Sequence, residues 1–232
     1  MEVNTSVSPS LHPGVISALA GDEDTADSVA DVRGAFETAY AGLTAVHAAR
    51  QAARENPTLT EAAAILLVAD YADKTQKKIT MRLDAAHARL KAAITEGERQ
   101  LSQPLEGAAA GGFTAEIRAY VKGLKHEDRT AFMNEAVRVG DTKTLAAVIG
   151  APSYLSGLST AERDVFTRSH HERVNPTLAK RLAVMKAAQS LIHERGGLVF
   201  DEIDKAIDAK PARVASLRAA RDKATAAYTF TP

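Results

Sequence analysis

Apolar residues recur at helical spacing along most of this chain, and no segment shows the sustained alternation of a strand. From about Thr25 to Glu55 the stripe runs through Val29, Val32, Phe36, Tyr40, Leu43, Val46 and Ala53. It predicts one helix, with Gly34 and Gly42 marking places where another backbone passes close, since each glycine costs a helix about 1 kcal/mol relative to alanine. Asn56-Pro57 stops it, because a residue before proline is pushed out of the α region. Thr58, with Glu61 three places on, predicts a capping box that opens a second helix. That helix runs 44 residues to Leu101 with no proline and a single glycine, Gly97. At about 1.5 Å per residue it would span roughly 66 Å.

The second stripe reads Ile65, Val68, Ala72, Thr75, Ile79, Leu83, Ala86, Leu90, Ile94, Leu101, with steps near 3.6 from Ile79 onward, so a straight or weakly supercoiled helix is expected. Asp70 with Lys74 and Asp73 with Lys77 stand as acid-before-base pairs on its wet face. The short turn makes the two helices antiparallel neighbours, and the second outreaches the first by roughly 20 Å. Leu90, Ile94 and Leu101 on that overhang need cover from the N-terminal tail, the C-terminal half or another subunit. They are the first candidate partner-binding residues.

Gln103 to Gly112 is a Gly- and Ala-rich linker, and shorter helices follow. They run from Thr114 to Lys125, Glu127 to Val139, Thr142 to Ile149 behind an Asp141 cap, and Ser159 to Val174 behind a Ser159/Glu162 capping box. Thr177 to Arg195, Phe200 to Ala209 and Pro211 to Tyr228 complete the pattern. The class is all-α: a long antiparallel helical hairpin (25–102) followed, after the linker 103–112, by a smaller bundle of short helices (113–227), with tails at 1–24 and 228–232. The N-terminal tail is rich in Ser, Pro and Gly and carries six acids and no Lys or Arg up to Asp31, which predicts a solvated segment with at most one short helix after Pro13. Asn56-Pro57-Thr58-Leu59 recurs as Asn175-Pro176-Thr177-Leu178, a pattern better explained by shared stop-and-start chemistry than by duplication.

Composition narrows the function classes. Lys plus Arg and Asp plus Glu are 29 each, so the net charge is zero, whereas a dedicated nucleic-acid binder is usually basic. Only 5% of residues are aromatic, which disfavours a deep ligand pocket. With no cysteine there is neither a disulfide nor a thiolate metal site. No run reaches the roughly 18 apolar residues of a membrane span, and the N-terminus lacks signal-peptide order, so a soluble, non-secreted protein is expected.

Chemical motifs are few. His170-His171-Glu172 is the densest cluster of metal-ligand types, but adjacent histidines on a helix point about 100° apart, so surface histidines are expected. Asp84 and His87 have metal-bundle spacing without the further acids such a site needs. Ser156 lies in no nucleophile elbow, and neither GxxxxGK[ST] nor GxGxxG occurs. No catalytic, cofactor-binding or metal site is assigned. From Lys205 to Lys223 there are six bases and two acids, and Arg213, Arg218, Arg221 and Lys223 are candidate phosphate contacts, set against a solvated basic face. Tyr228 and Phe230 sit in an extended aromatic tail that either frays or docks into a neighbour.

The run Gly140 to Pro152, followed by Tyr154-Leu155-Ser156-Gly157-Leu158, resembles uncharacterised helical proteins of tailed-phage and prophage particle modules. That resemblance implies a virion or assembly role, on the capsid or at the head-tail junction, in particles assembled in the host cytoplasm. Together these features point to a non-enzymatic structural or assembly protein that docks on itself or on other virion proteins. The alternative is a non-specific nucleic-acid-binding or packaging factor that uses the basic C-terminal helix.

Overall fold

The computed structural model describes residues 5–105 and 113–228. The protein is all-α, and no strand occurs among the described residues. A 3-10 turn (Pro9–Leu11) precedes α1 (Gly14–Ala20) and α2 (Glu23–Ala26), and a second 3-10 turn (Asp27–Val29) leads into α3 (Ala30–Glu55) and α4 (Glu61–Leu101). Then come α5 (Thr114–Gly123), α6 (His126–Val139), α7 (Thr142–Ile149), α8 (Ser153–Ser156), α9 (Thr160–Val174), α10 (Pro176–Arg195), α11 (Leu198–Ile207) and α12 (Pro211–Ala226).

The chain forms two compact units, residues 1–91 with 184–232 and residues 92–183. The division falls within α4 and within α10, not at the expected linker 103–112, most of which lies outside the described residues. A continuous helix hides a unit boundary from any reading based on Pro and Gly punctuation.

In the first unit α3 and α4 form the antiparallel hairpin. Gly42 faces Thr75 and Ile79, Gly34 faces Arg82, and Asp31 at the start of α3 takes Arg82 and Arg89. A Cβ on Gly42 would lie 2.9 Å from Ile79 Cδ1 and 3.0 Å from Thr75 Cγ2, so side chains, not backbone, fill the space the glycine leaves. The long helix begins three residues later than expected. Asn56 Oδ1 accepts from both the Thr58 amide and its hydroxyl, which fixes Thr58 in the turn, and Thr60 Oγ1 caps by accepting from the Ala63 amide at 3.2 Å. The first helix is also cut short at its start, where Asp22 caps α2 and a 3-10 turn separates it from α3.

The N-terminal segment is not a solvated tail from Thr5 onward. Val7, Leu11 and Ile16 are fully buried, and the His12 ring meets Tyr40 of α3 edge-on at 5.0 Å. The first 3-10 turn and α1, the one short helix expected after Pro13, both lie against α3. Arg195 Nη1 donates to the Ser10 carbonyl at 3.0 Å and fastens the same segment to the end of α10. α11 also lies against α3 and buries Val199, Ile203 and Ala206.

In the second unit α5, α6, α7 and α9 enclose a core of Val121, Met133, Leu145, Val148, Leu158 and Phe166. Gly140 ends α6 in the left-handed region (φ 77°), and Asp141 caps α7 by accepting from the Thr144 amide at 3.1 Å. The Ser159/Glu162 capping box opens α9 as the sequence predicts. α8 is an added turn of helix in what reads as a connector.

Candidate interaction surface

α12 lies along the N-terminal half of α4 and spends its basic side chains there. Arg213 donates to Glu61 at 2.8 Å, Arg218 to Asp73 at 2.6 Å and to Asp70 at 3.1 Å, and Arg221 to Asp70 at 2.6 Å. Burial alone would raise the Asp70 carboxyl, but Arg221 and Arg218 outweigh it and hold it below the usual range. Asp70 and Asp73 therefore serve the α4–α12 seam, in place of the expected pairs with Lys74 and Lys77. Three of the four candidate phosphate contacts are neutralised within the chain. The sequence could not show this, because helical spacing sets which face the bases share but not which acids stand opposite. Lys223 is exposed, and so is Tyr228 at 89%. Phe230 lies outside the described residues.

The expected overhang is also covered. Leu90, Ile94 and Leu101 are all buried. In the second unit the cover along α4 comes from α10, where Leu182 and Leu178 stand 3.2 and 3.8 Å from the position of a Cβ on Gly97. The exposed apolar side chains of α4 lie elsewhere. Leu67 is 57% exposed, Tyr71 42% and Met81 72%. At 3.6 residues per turn these three share one stripe with the exposed Lys74 and Lys78, on the side away from Val68, Ala72 and Ile79. Lys77 is exposed beside it. The molecule also carries an acidic corner, where Asp22, Glu23, Asp24 and Asp27 are exposed around α2.

Two buried polar groups stand apart from these surfaces. Glu202 of α11, only 4% exposed, accepts from the Ser8 amide at 3.1 Å and from Lys205 Nζ at 2.7 Å. Nothing in its spacing marks it, since a carboxylate on an amphipathic helix reads as wet. His170 is buried, contrary to the expected surface pair, and its Nδ1 has no hydrogen-bond partner. His171 Nε2 lies 2.8 Å from the Gln103 carbonyl oxygen, and Glu172 accepts from Arg168 at 2.7 Å. Among the described residues no group of three or more His, Asp or Glu side chains is placed to hold a metal ion. Ser156, the last residue of α8, is fully buried, its hydroxyl 3.4 Å from the Pro152 carbonyl oxygen.

Burial, and then the neighbouring His171, push the His170 imidazole below its ordinary value. The folded chain thus binds fewer protons there than the unfolded chain. Stability from this site is complete above the unfolded value of about 6.5 and is lost as pH falls from there through the folded one. His47 has the same sign, lowered by burial and then by Arg50. Urea midpoints should therefore fall between pH 7.5 and pH 5, and His170→Leu should make that fall shallower. An unchanged slope in the variant would remove His170 from the account.

No helix among the described residues is long and apolar enough to cross a membrane. No protein-family model, curated protein or solved structure matches this chain.

Proposed function

We propose that this chain is a non-enzymatic structural protein that assembles with copies of itself through the outward stripe of α4. One observation carries the reading: Leu67, Tyr71 and Met81 stand exposed on a single face of the longest helix. Lys74 and Lys78 interrupt that face, so two copies of it placed together would set lysine against lysine. The acidic corner at Asp22, Glu23, Asp24 and Asp27 has the complementary charge, which makes the second copy's corner the occupant. Such a contact joins unlike surfaces and generates a ring or an open filament. Each covered apolar side chain contributes roughly 1.5–3 kcal/mol before ordering costs, so a single contact is weak and repetition supplies the strength. The resemblance of residues 140–158 to phage particle proteins supports a virion as the setting of that assembly.

Light scattering across a concentration series tests this. The chain should form species larger than a monomer, and Leu67→Asp with Met81→Asp should return it to a monomer. Lys74→Glu with Lys78→Glu should do the same, and Glu23→Lys with Asp27→Lys in the other partner should restore association. A chain that stays monomeric at every concentration, or an oligomer indifferent to both sets of changes, refutes the proposal. In the packaging alternative Arg213, Arg218 and Arg221 would have to exchange the carboxylates they face for phosphate.

A further inference from the structure

A cavity of about 290 Å³ opens at the turn end of the hairpin, where α3, α4, α11 and α12 meet. That is near the lower end of small-molecule pockets, roughly 300–1,000 Å³. Ile65 and Val68 of α4 and Ile207 of α11 supply apolar wall. Three guanidiniums line it, those of Arg50, Arg54 and Arg213, against two carboxylates, those of Glu61 and Asp208. The lining thus carries one positive charge more than it neutralises.

The pairing is uneven. Arg213 has Glu61 at 2.8 Å. Arg54 and Arg50 share one carboxylate, Asp208, at 2.5 and 3.6 Å, and Arg50 also donates to the Lys205 carbonyl at 3.3 Å. Arg50 Nε is buried with no hydrogen-bond partner. Asp208 is itself the one non-glycine residue with positive φ (57°) among the described residues, at the C-terminal cap of α11. A left-handed conformation outside glycine is uncommon, though aspartate tolerates it better than most. Here it turns an acid over the two arginines. A guanidinium binds a planar carboxylate through two parallel donors, and Arg50 lacks that arrangement.

We propose that this cavity binds a small aliphatic monocarboxylate. The carboxylate of the ligand takes Arg50 and Arg54 from Asp208, and its hydrocarbon lies on Ile65, Val68 and Ile207. A single negative charge balances the lining, which disfavours a phosphate dianion. The proposal does not rest on the assembly reading, since none of Leu67, Tyr71, Lys74, Lys78 and Met81 lines the cavity.

Titration of the intact chain with hexanoate, followed by calorimetry, tests the site. Saturable one-to-one binding is expected, with no binding of hexan-1-ol. Arg54→Met, at a half-exposed position that tolerates change, should weaken hexanoate about tenfold through loss of a charge-assisted bond. Asp208→Asn should tighten it severalfold, because asparagine keeps the left-handed cap while removing the competing carboxylate. Far-UV circular dichroism confirms that each variant is folded. No saturable hexanoate binding, equal binding of hexan-1-ol, or weaker binding by Asp208→Asn would each overturn the proposal.

Discussion

Replacing Leu101 with alanine will lower the unfolding free energy by about 2–5 kcal/mol and leave the oligomeric state unchanged. The side chain is only 1% exposed at the last residue of α4. Its truncation removes buried hydrocarbon and leaves a cavity that the surrounding helices close only in part. A side chain that waited for a partner would behave in the opposite way: the monomer would gain solubility, lose no stability, and the oligomer would fall apart. Leu67→Ala on the same helix provides the contrast, since at 57% exposure its loss should cost the folded chain less than about 0.5 kcal/mol. Urea unfolding of both variants, with light scattering alongside, separates the two roles. If Leu101→Ala keeps the wild-type midpoint, its burial within the chain is not what the side chain contributes.

That contrast marks where sequence was informative. Period 3.6 identifies the face of α4 that is apolar, and Val68, Ala72, Ile79, Leu83 and Ala86 are indeed buried. Local chemistry places the ends of helices, as with Asp141, the Ser159/Glu162 box and Asn175-Pro176. What a stripe cannot name is the surface opposite. The stripe leaves open whether the N-terminal tail, the C-terminal half or another subunit covers the overhang, and it is α10 of the C-terminal half, more than 70 residues further along, that lays Leu178 and Leu182 against Gly97. The basic character of α12 was plain, but its acids stand on α4, some 150 positions away, so its arginines read as available for phosphate. The cavity at the turn end of the hairpin was invisible for the same reason, because its walls come from four helices. Asp208 gives one faint signal, an acid where a helix ends just before Pro211.

Arg129→Met will destabilise the second unit by about 3 kcal/mol, and Arg129→Lys will recover little of that loss. The guanidinium lies where α5 ends and α8 returns. Its Nε donates to the Val121 carbonyl at 3.1 Å, Nη2 to Leu124 at 2.8 Å and to Lys122 at 3.3 Å, and Nη1 to Gly157. Helix C-termini leave their last carbonyls without partners, and one planar cation here serves three of them together with a loop. Gly157 can present its carbonyl because it is left-handed (φ 74°), and a Cβ there would stand 3.3 Å from both Arg129 Cζ and the Lys122 Cα. Hydrogen bonds to a charged group contribute about 1.5–3 kcal/mol each when partly buried, and they do not add, so about 3 kcal/mol is a conservative sum for the set. Lysine keeps the charge but offers a single nitrogen, which cannot reach carbonyls on both elements in the planar pattern. Arg138→Met is the control. Among the described residues Arg138 pairs with Glu135 on an exposed face of α6, and its loss should leave the melting temperature close to that of the wild type. Thermal melts of the three variants decide the matter: a lysine variant as stable as wild type would show that charge, not the fork of donors, holds α5 to α8.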